Sequence, residues 1–111
     1  MEITIQEFKR CDLIKVKGRV DSSTAPDFSK ALEKFTSNNR FNIVVDMREL
    51  EYMSSAGFRA LLAAQRNCKR YNRGELVLAS APKRIKEALE LAGFFELFKT
   101  FDDAVAAVGV F

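Results

Sequence analysis

The 111-residue sequence contains no histidine and no tryptophan, and it has only two cysteines, two prolines and five glycines. Without histidine, the Ser-His-Asp and Cys-His catalytic arrangements and the HExxH zinc site are all excluded. Cys11 and Cys68 have no metal-binding spacing, so we expect two reduced thiols. The glycines are scattered, and neither GxxxxGKS/T nor GxGxxG occurs, which removes the usual phosphate-binding loops.

Long apolar runs and blocks of like charge are also missing. No run of about 18 apolar residues is present, so no membrane-spanning helix is expected. The first residues alternate between polar and apolar types, which predicts no secretory signal and a cytoplasmic location. The net charge of +3 is spread along the chain, which does not favour a nucleic-acid partner. Carboxylate pairs such as Asp102-Asp103 stand without histidine or clustered cysteine, so we expect no metal and no cofactor.

The residues that are present can build a core. Hydrophobic residues make up 48% of the chain and charged residues 30%, which suits a packed interior beneath a solvated surface. A chain of this length is expected to form one domain over residues 1–111.

The hydrophobic pattern predicts strands that alternate with helices. Alternation over residues 2–8, and again up to Gly18, predicts a hairpin of two strands. The run Ile43-Val44-Val45 predicts a strand buried on both faces, and residues 76–79 predict another. Residues 47–53 are predicted to be a connection, and a short strand is expected at residues 97–100.

Helix signals fill the gaps between these strands. The cluster Asp21-Ser22-Ser23-Thr24 and Pro26 predict the start of a first helix, and a second is expected from Ser55 to about Tyr71. Ser80 is predicted to cap a third helix that stops at Gly93, and a last helix follows Asp103.

The predicted element order is ββαβαβα, then a weak strand and a final helix. Alternating strands and helices imply right-handed crossovers in one sheet. We therefore predict an α/β fold with a mostly parallel, four- to five-stranded sheet, an antiparallel N-terminal edge and about four helices.

One junction of strand, loop and helix contains two serines. It reads Met53-Ser54-Ser55-Ala56-Gly57, which lacks the GxSxG pattern of a serine hydrolase. Serine is a preferred N-cap, so one interpretation of Ser55 is a helix cap. Gly57 in a first helical turn costs up to about 1 kcal/mol relative to alanine. Small residues here would leave the helix start open to another chain or a phosphate.

Three segments resemble the STAS domain, and specifically the bacterial anti-sigma factor antagonists. They are Tyr52-Met53 with the helix start Ser55-Ala56-Gly57, residues 18–25 (GRVDSSTA), and residues 75–78 followed by residues 85–93. The resemblance covers essentially the whole chain in the same element order. It implies a STAS fold.

The resemblance also implies partner switching. An unphosphorylated antagonist of this family binds an anti-sigma factor, a serine kinase of the GHKL type, and so releases a sigma factor. Phosphorylation by the kinase inactivates the antagonist, and a phosphatase restores it. The implied phosphoacceptor is Ser55. The implied partner-binding residues are Asp21, Ser22, Ser23, Thr24, Ser54, Ser55, Ala56, Gly57 and Arg59.

This sequence departs from the family at two positions of the motif, and one of them is Ala56, the residue after the implied phosphoserine. The family's aspartate before the phosphoserine is Ser54 here, which places two hydroxyls side by side. The register of the motif favours Ser55 as the acceptor.

Two other functions stay open from the sequence. One is a STAS protein that acts on a non-sigma effector, as a stress-signalling or transport-accessory subunit. The other is a small enzyme, although the sequence offers no catalytic residues and we expect none. The resemblance implies neither direct nucleic-acid binding nor a membrane partner.

Overall fold

A six-stranded mixed sheet organises the computed structural model, which describes residues 1–111. No helix is long and apolar enough to cross a lipid bilayer. The strands and helices are, in chain order, β1 (Glu2–Glu7), β2 (Asp12–Val20), α1 (Ala25–Ser37), β3 (Ile43–Asp46), β4 (Leu50–Met53), α2 (Ser55–Lys69), β5 (Leu76–Ala79), α3 (Lys83–Leu91), β6 (Thr100–Phe101) and α4 (Ala104–Val108).

The strands lie in the order β1-β2-β3-β5-β6. β1 is antiparallel to β2, and every other pair is parallel. The structure therefore confirms the predicted α/β class, the mostly parallel sheet and the antiparallel N-terminal edge. The sheet has six strands rather than four to five, because it includes β4 and the two-residue β6.

The core is divided between the two faces of the sheet. Ile43 and Val45 point into a cluster of 22 buried residues that also includes the inner sides of α1, α2 and α3. Val44 points the other way, into a cluster of five buried residues beside α4. This alternation confirms that β3 is buried on both faces, as its continuous apolar run predicts.

A buried glutamine holds α2 against the sheet. The Gln65 side-chain NH₂ donates to the carbonyls of Leu76 and Leu97, both at 2.9 Å, and its oxygen accepts from the Leu76 N–H at 2.8 Å. All its hydrogen-bonding groups are used, so burying this polar side chain carries little penalty. Gln65 thereby sets the position of the helix that begins at Ser55.

The structure corrects the prediction for residues 47–53. They contain β4, which pairs in parallel with the last residues of β2, with Val20 opposite Met53. Leu50 and Met53 are buried while Glu51 and Tyr52 are exposed. This four-residue pattern does not alternate, so its strand character depends on the distant partner β2 and is invisible locally.

Two predicted boundaries after β5 are also wrong. The third helix begins at Lys83 with Pro82 as its N-cap, not at Ser80. Ser80 adopts a positive φ of 55°, and its hydroxyl donates to the Asp102 carbonyl at 3.2 Å. The strand expected at residues 97–100 is instead a 3₁₀ turn at Phe95–Leu97 followed by β6. Gly93, with φ of 76°, ends the helix as predicted.

Candidate functional site

The two segments singled out by the sequence lie beside each other at one edge of the sheet. β2 and β4 run in parallel and end together, so the residues that follow them emerge at the same place. The Ser54 N–H donates to the Val20 carbonyl at 2.8 Å, and this hydrogen bond links the C-terminal ends of the two strands. The Asp21–Thr24 loop is therefore next to the start of α2.

The Asp21 carboxylate organises this loop. Its Oδ1 accepts from the Ser23 hydroxyl at 2.6 Å, from the Ser23 N–H at 3.0 Å and from the Thr24 N–H at 3.2 Å. The Thr24 hydroxyl in turn accepts from the Asp21 N–H at 2.9 Å. The hydroxyl and backbone N–H of Ser23 hold the pKa of Asp21 below its usual value. Asp21 thus shapes the loop and remains ionised.

Acid is expected to loosen this loop. Because the folded pKa of Asp21 is lowered, the ionised carboxylate stabilises the loop above the unfolded-state pKa. That contribution is lost as the pH falls through the folded pKa. An NMR titration should show the Asp21 carboxyl titrating below the ordinary aspartate range, with the Ser23 and Thr24 amide signals moving at the same midpoint.

The control for this titration is a second acid of the same region. Asp21→Asn should abolish the coupled amide shifts, whereas Asp27→Asn, in the exposed first turn of α1, should leave them unchanged. Titration of Asp21 in the ordinary range would contradict the role given to these hydrogen bonds.

The two serines at the start of α2 differ in access. Ser54 is the N-cap residue, but its side chain makes no capping bond, and its Oγ is buried without a hydrogen-bond partner. Ser55 is the first residue of the helix, and it is exposed. The interpretation of Ser55 as the helix cap is therefore wrong, and Ser54 occupies that position.

Gly57 faces the interior. It is buried, and a Cβ built on it would lie 2.5 Å from the Met53 Cγ and 2.9 Å from the Val20 Cγ1. Both distances are shorter than van der Waals contact, so any side chain would force these neighbours to move. Close packing beneath α2 therefore explains why position 57 is a glycine. The glycine does not need to be explained by access of another chain or a phosphate to the start of the helix.

Three arginine side chains lie on or against the strands and the helix that form this edge. The Arg19 guanidinium lies 4.4 Å from the centroid of the Tyr52 ring, which is 41% exposed. The Arg84 Nη2 donates to the Glu51 carbonyl at 2.9 Å. Arg59 is exposed on α2 and takes part in none of the salt bridges. The surface therefore offers several cations to an approaching partner.

One known protein family matches almost the whole chain. The family model for the STAS domain matches residues 2–107. The chain belongs to the STAS domain family. The match confirms the resemblance found in the three sequence segments.

Two relatives of this STAS domain carry related names. A Bordetella bronchiseptica protein, named as a proposed anti-sigma factor antagonist, BtrV, is 27% identical over 111 residues, which cover all of this chain and 95% of BtrV. The anti-sigma-B factor antagonist of Listeria monocytogenes is 27% identical over 99 residues, covering 89% of this chain and 85% of the relative.

Two solved structures have the same fold. The anti-sigma factor antagonist SpoIIAA in its unphosphorylated form superposes with a TM-score of 0.82, at 14% identity, covering 98% of this chain and 96% of SpoIIAA. The phosphorylated form of the Bacillus protein superposes with a TM-score of 0.77, at 14% identity, covering 99% and 100% of the two chains. These likenesses establish the fold of this STAS domain.

The STAS fold brings the sequence-selected residues to one edge, but not all to the surface. Ser22, Ser23, Ser55 and Arg59 are exposed, while Asp21, Thr24, Ser54 and Ala56 are half-buried and Gly57 is buried. Arg19 and Tyr52 belong to the segments that resemble the family but are not among the predicted partner-binding residues, and Arg84 lies outside those segments. Only the pairing of β2 with β4 could have indicated the first two, and that pairing is non-local. No group of three or more cysteine, aspartate or glutamate side chains is placed to hold a metal ion.

Proposed function

We propose that this STAS domain is an anti-sigma factor antagonist. The surface that would bind the anti-sigma factor consists of the Asp21–Thr24 loop and the exposed residues Ser55 and Arg59, and it is called the switch surface below. Two relatives whose sequences cover most of this chain bear that name, which supports the proposal. The cations Arg19, Arg59 and Arg84 at this edge favour an acidic partner surface.

The finer proposal is that the partner is a GHKL-type kinase that phosphorylates Ser55. The observation that carries it is the different access of the two adjacent hydroxyls. The Ser54 Oγ is buried, whereas Ser55 is exposed on the first residue of α2. A kinase must reach the acceptor oxygen, so the exposed serine is the one it would modify.

A phosphate on Ser55 would act on binding and leave the fold in place. It adds about −1.5 to −2 charge at pH 7. The start of a helix tolerates an anion, because the helix dipole and the free N–H groups there favour negative charge. Against a partner's surface the same charge would be desolvated and would face the kinase's own nucleotide phosphates. The complex would therefore dissociate through repulsion and desolvation, and a phosphatase would restore binding.

The proposal is tested by phosphorylation with a purified GHKL-type kinase from the same genome. Incubation with ATP should add the mass of one phosphate, and peptide mapping should place it on Ser55. Ser55→Ala should abolish the mass gain, and Ser54→Ala should retain it. Phosphate on Ser22 or Ser54, with Ser55 unmodified, would overturn the assignment. Absence of both complex and mass gain would favour a STAS domain that acts on a non-sigma effector.

A further inference from the structure

We propose that Arg59 is the intramolecular counter-charge of phosphorylated Ser55. Phosphorylation would then change the switch surface twice, because it adds an anion and also withdraws a cation from the partner. This inference rests on the proposed function in one respect, namely that Ser55 carries the phosphate.

Spacing along α2 places the two side chains together. Ser55 and Arg59 are four residues apart in one regular helix, and both are exposed. Residues four apart are neighbours on the same face of a helix, with about 5–6 Å between their Cβ atoms. The acidic group lies on the N-terminal side of the basic one, which is the more favourable orientation. A phosphoserine and the long arginine side chain can span this separation.

The Arg59 charge is unused in the unphosphorylated structure. The first turn of α2 contains no acidic residue, and none of the salt bridges involves Arg59. The carboxylate of the loop beside the start of α2, Asp21, already accepts hydrogen bonds from Ser23 and Thr24. No salt bridge therefore has to break before this guanidinium pairs with a phosphate on Ser55.

The other cations of the edge are already engaged. The Arg19 guanidinium lies over the Tyr52 ring, and Arg84 donates to the Glu51 carbonyl. Moving either one to Ser55 would break an existing contact. Arg59 can pair with the phosphate at no such cost, and a guanidinium can donate two parallel hydrogen bonds to phosphate oxygens.

Pairing of Arg59 with the phosphate would change the charge that the switch surface presents to the partner. Before phosphorylation, Arg59 is free to contact an acidic group of the partner. After it, the guanidinium is held along α2 by the phosphate, and the switch surface presents an anion where it presented a cation. The loss of the Arg59 contact then adds to the repulsion created by the phosphate itself.

The test uses the full chain with phosphoserine installed at position 55 during protein synthesis. A ³¹P NMR titration measures the second pKa of the phosphate in the parent, in Arg59→Gln and in Arg66→Gln. Arg66 is an exposed arginine of the same helix, further from Ser55. The phosphate pKa should be a few tenths of a unit lower in the parent than in Arg59→Gln, because a nearby cation favours the dianion. Arg66→Gln should match the parent, and added salt should reduce the difference.

Equal phosphate pKa values in the parent and Arg59→Gln would overturn the proposal. An equal rise in Arg66→Gln would also overturn it, because the effect would then come from net charge alone. Since the phosphoserine is installed without a kinase, failure of any kinase to modify Ser55 would count only against the proposed function. Circular dichroism of each variant confirms that the compared proteins are folded.

Discussion

Replacing Ser55 with aspartate is expected to leave the domain folded and to weaken its binding to the proposed partner, a GHKL-type anti-sigma kinase, by roughly 30-fold or more. An unpaired charge buried at a protein interface costs about 2–5 kcal/mol, and each 1.4 kcal/mol is about a tenfold change in affinity. The fold should survive, because a carboxylate at the start of α2 is favourably placed relative to the helix dipole. Ser55→Ala should bind as tightly as the parent and should not be released by ATP.

The measurement is the dissociation constant for the purified kinase, by calorimetry, with thermal unfolding followed in parallel. Ser37→Asp is the matched control, because it adds the same charge at an exposed position at the last residue of α1. It should leave the affinity within about twofold of the parent, since exposed charges at a distance are largely screened. A dissociation constant for Ser55→Asp equal to that of the parent would show that Ser55 is not part of the interface.

Gly57→Val is expected to lower the free energy of unfolding by about 3 kcal/mol, near the upper end of typical overpacking effects. The new Cβ would lie 2.5 Å from the Met53 Cγ and 2.9 Å from the Val20 Cγ1. Val20 is a β-branched, buried strand residue with little rotamer freedom. The flexible Met53 side chain can shift to relieve part of the overlap. The overlap with Val20 must be relieved by moving α2 away from the sheet, which also displaces Ser55.

A graded series separates packing from helix propensity. Gly57→Ala should cost about 1 kcal/mol, because the clash outweighs the roughly 1 kcal/mol that alanine gains over glycine in a helix. Gly109→Ala is the control. Its Cβ would meet its nearest neighbours at 3.4 and 3.5 Å, at an ordinary negative φ of −64°. The free energy of unfolding of Gly109→Ala, measured by urea denaturation, should be within about 0.5 kcal/mol of that of the parent.

A double variant tests which contact matters. In the Gly57→Ala background, Met53→Ala should lower stability by less than it does in the parent, because it removes the side chain that clashes. A Gly57→Val protein as stable as the parent would contradict the role given to this glycine.

Local sequence signals were sufficient for most elements of the fold. The apolar run at β3 predicts burial on both faces, and Gly93 predicts the end of α3, because both signals depend only on nearby residues. β4 was missed because its four residues become a strand only by pairing with β2, some 30 positions away in the sequence. Ser80 was misread for a similar reason, since its hydroxyl bonds the distant Asp102 carbonyl in place of a helix end.

In the candidate site, too, some features follow from local sequence signals and others depend on contacts between distant residues. The motif register selected Ser55, and the upstream segment selected Asp21, without any knowledge of their proximity. A glycine at position 57 is unexpected in a first helical turn, and the reason for it is the close approach of Met53 and Val20, which exists only in the packed structure. Arg19 lies in the upstream segment, but its contact with Tyr52 is not predicted by that segment, because the stacking exists only when β2 and β4 are side by side.

The sequence by itself showed the resemblance to the STAS family, the alternation of strands and helices of an α/β fold, and the two serines at the start of the second helix. These properties depend on residue identity, periodicity and motif spacing, which are all local. Only the tertiary structure decided which serine a partner can reach. The Ser54 backbone is tied to β2 through the Val20 carbonyl and its hydroxyl is buried, while Ser55, one residue later, faces solvent. That difference arises from a non-local strand pairing, which no local pattern at the serines could have revealed.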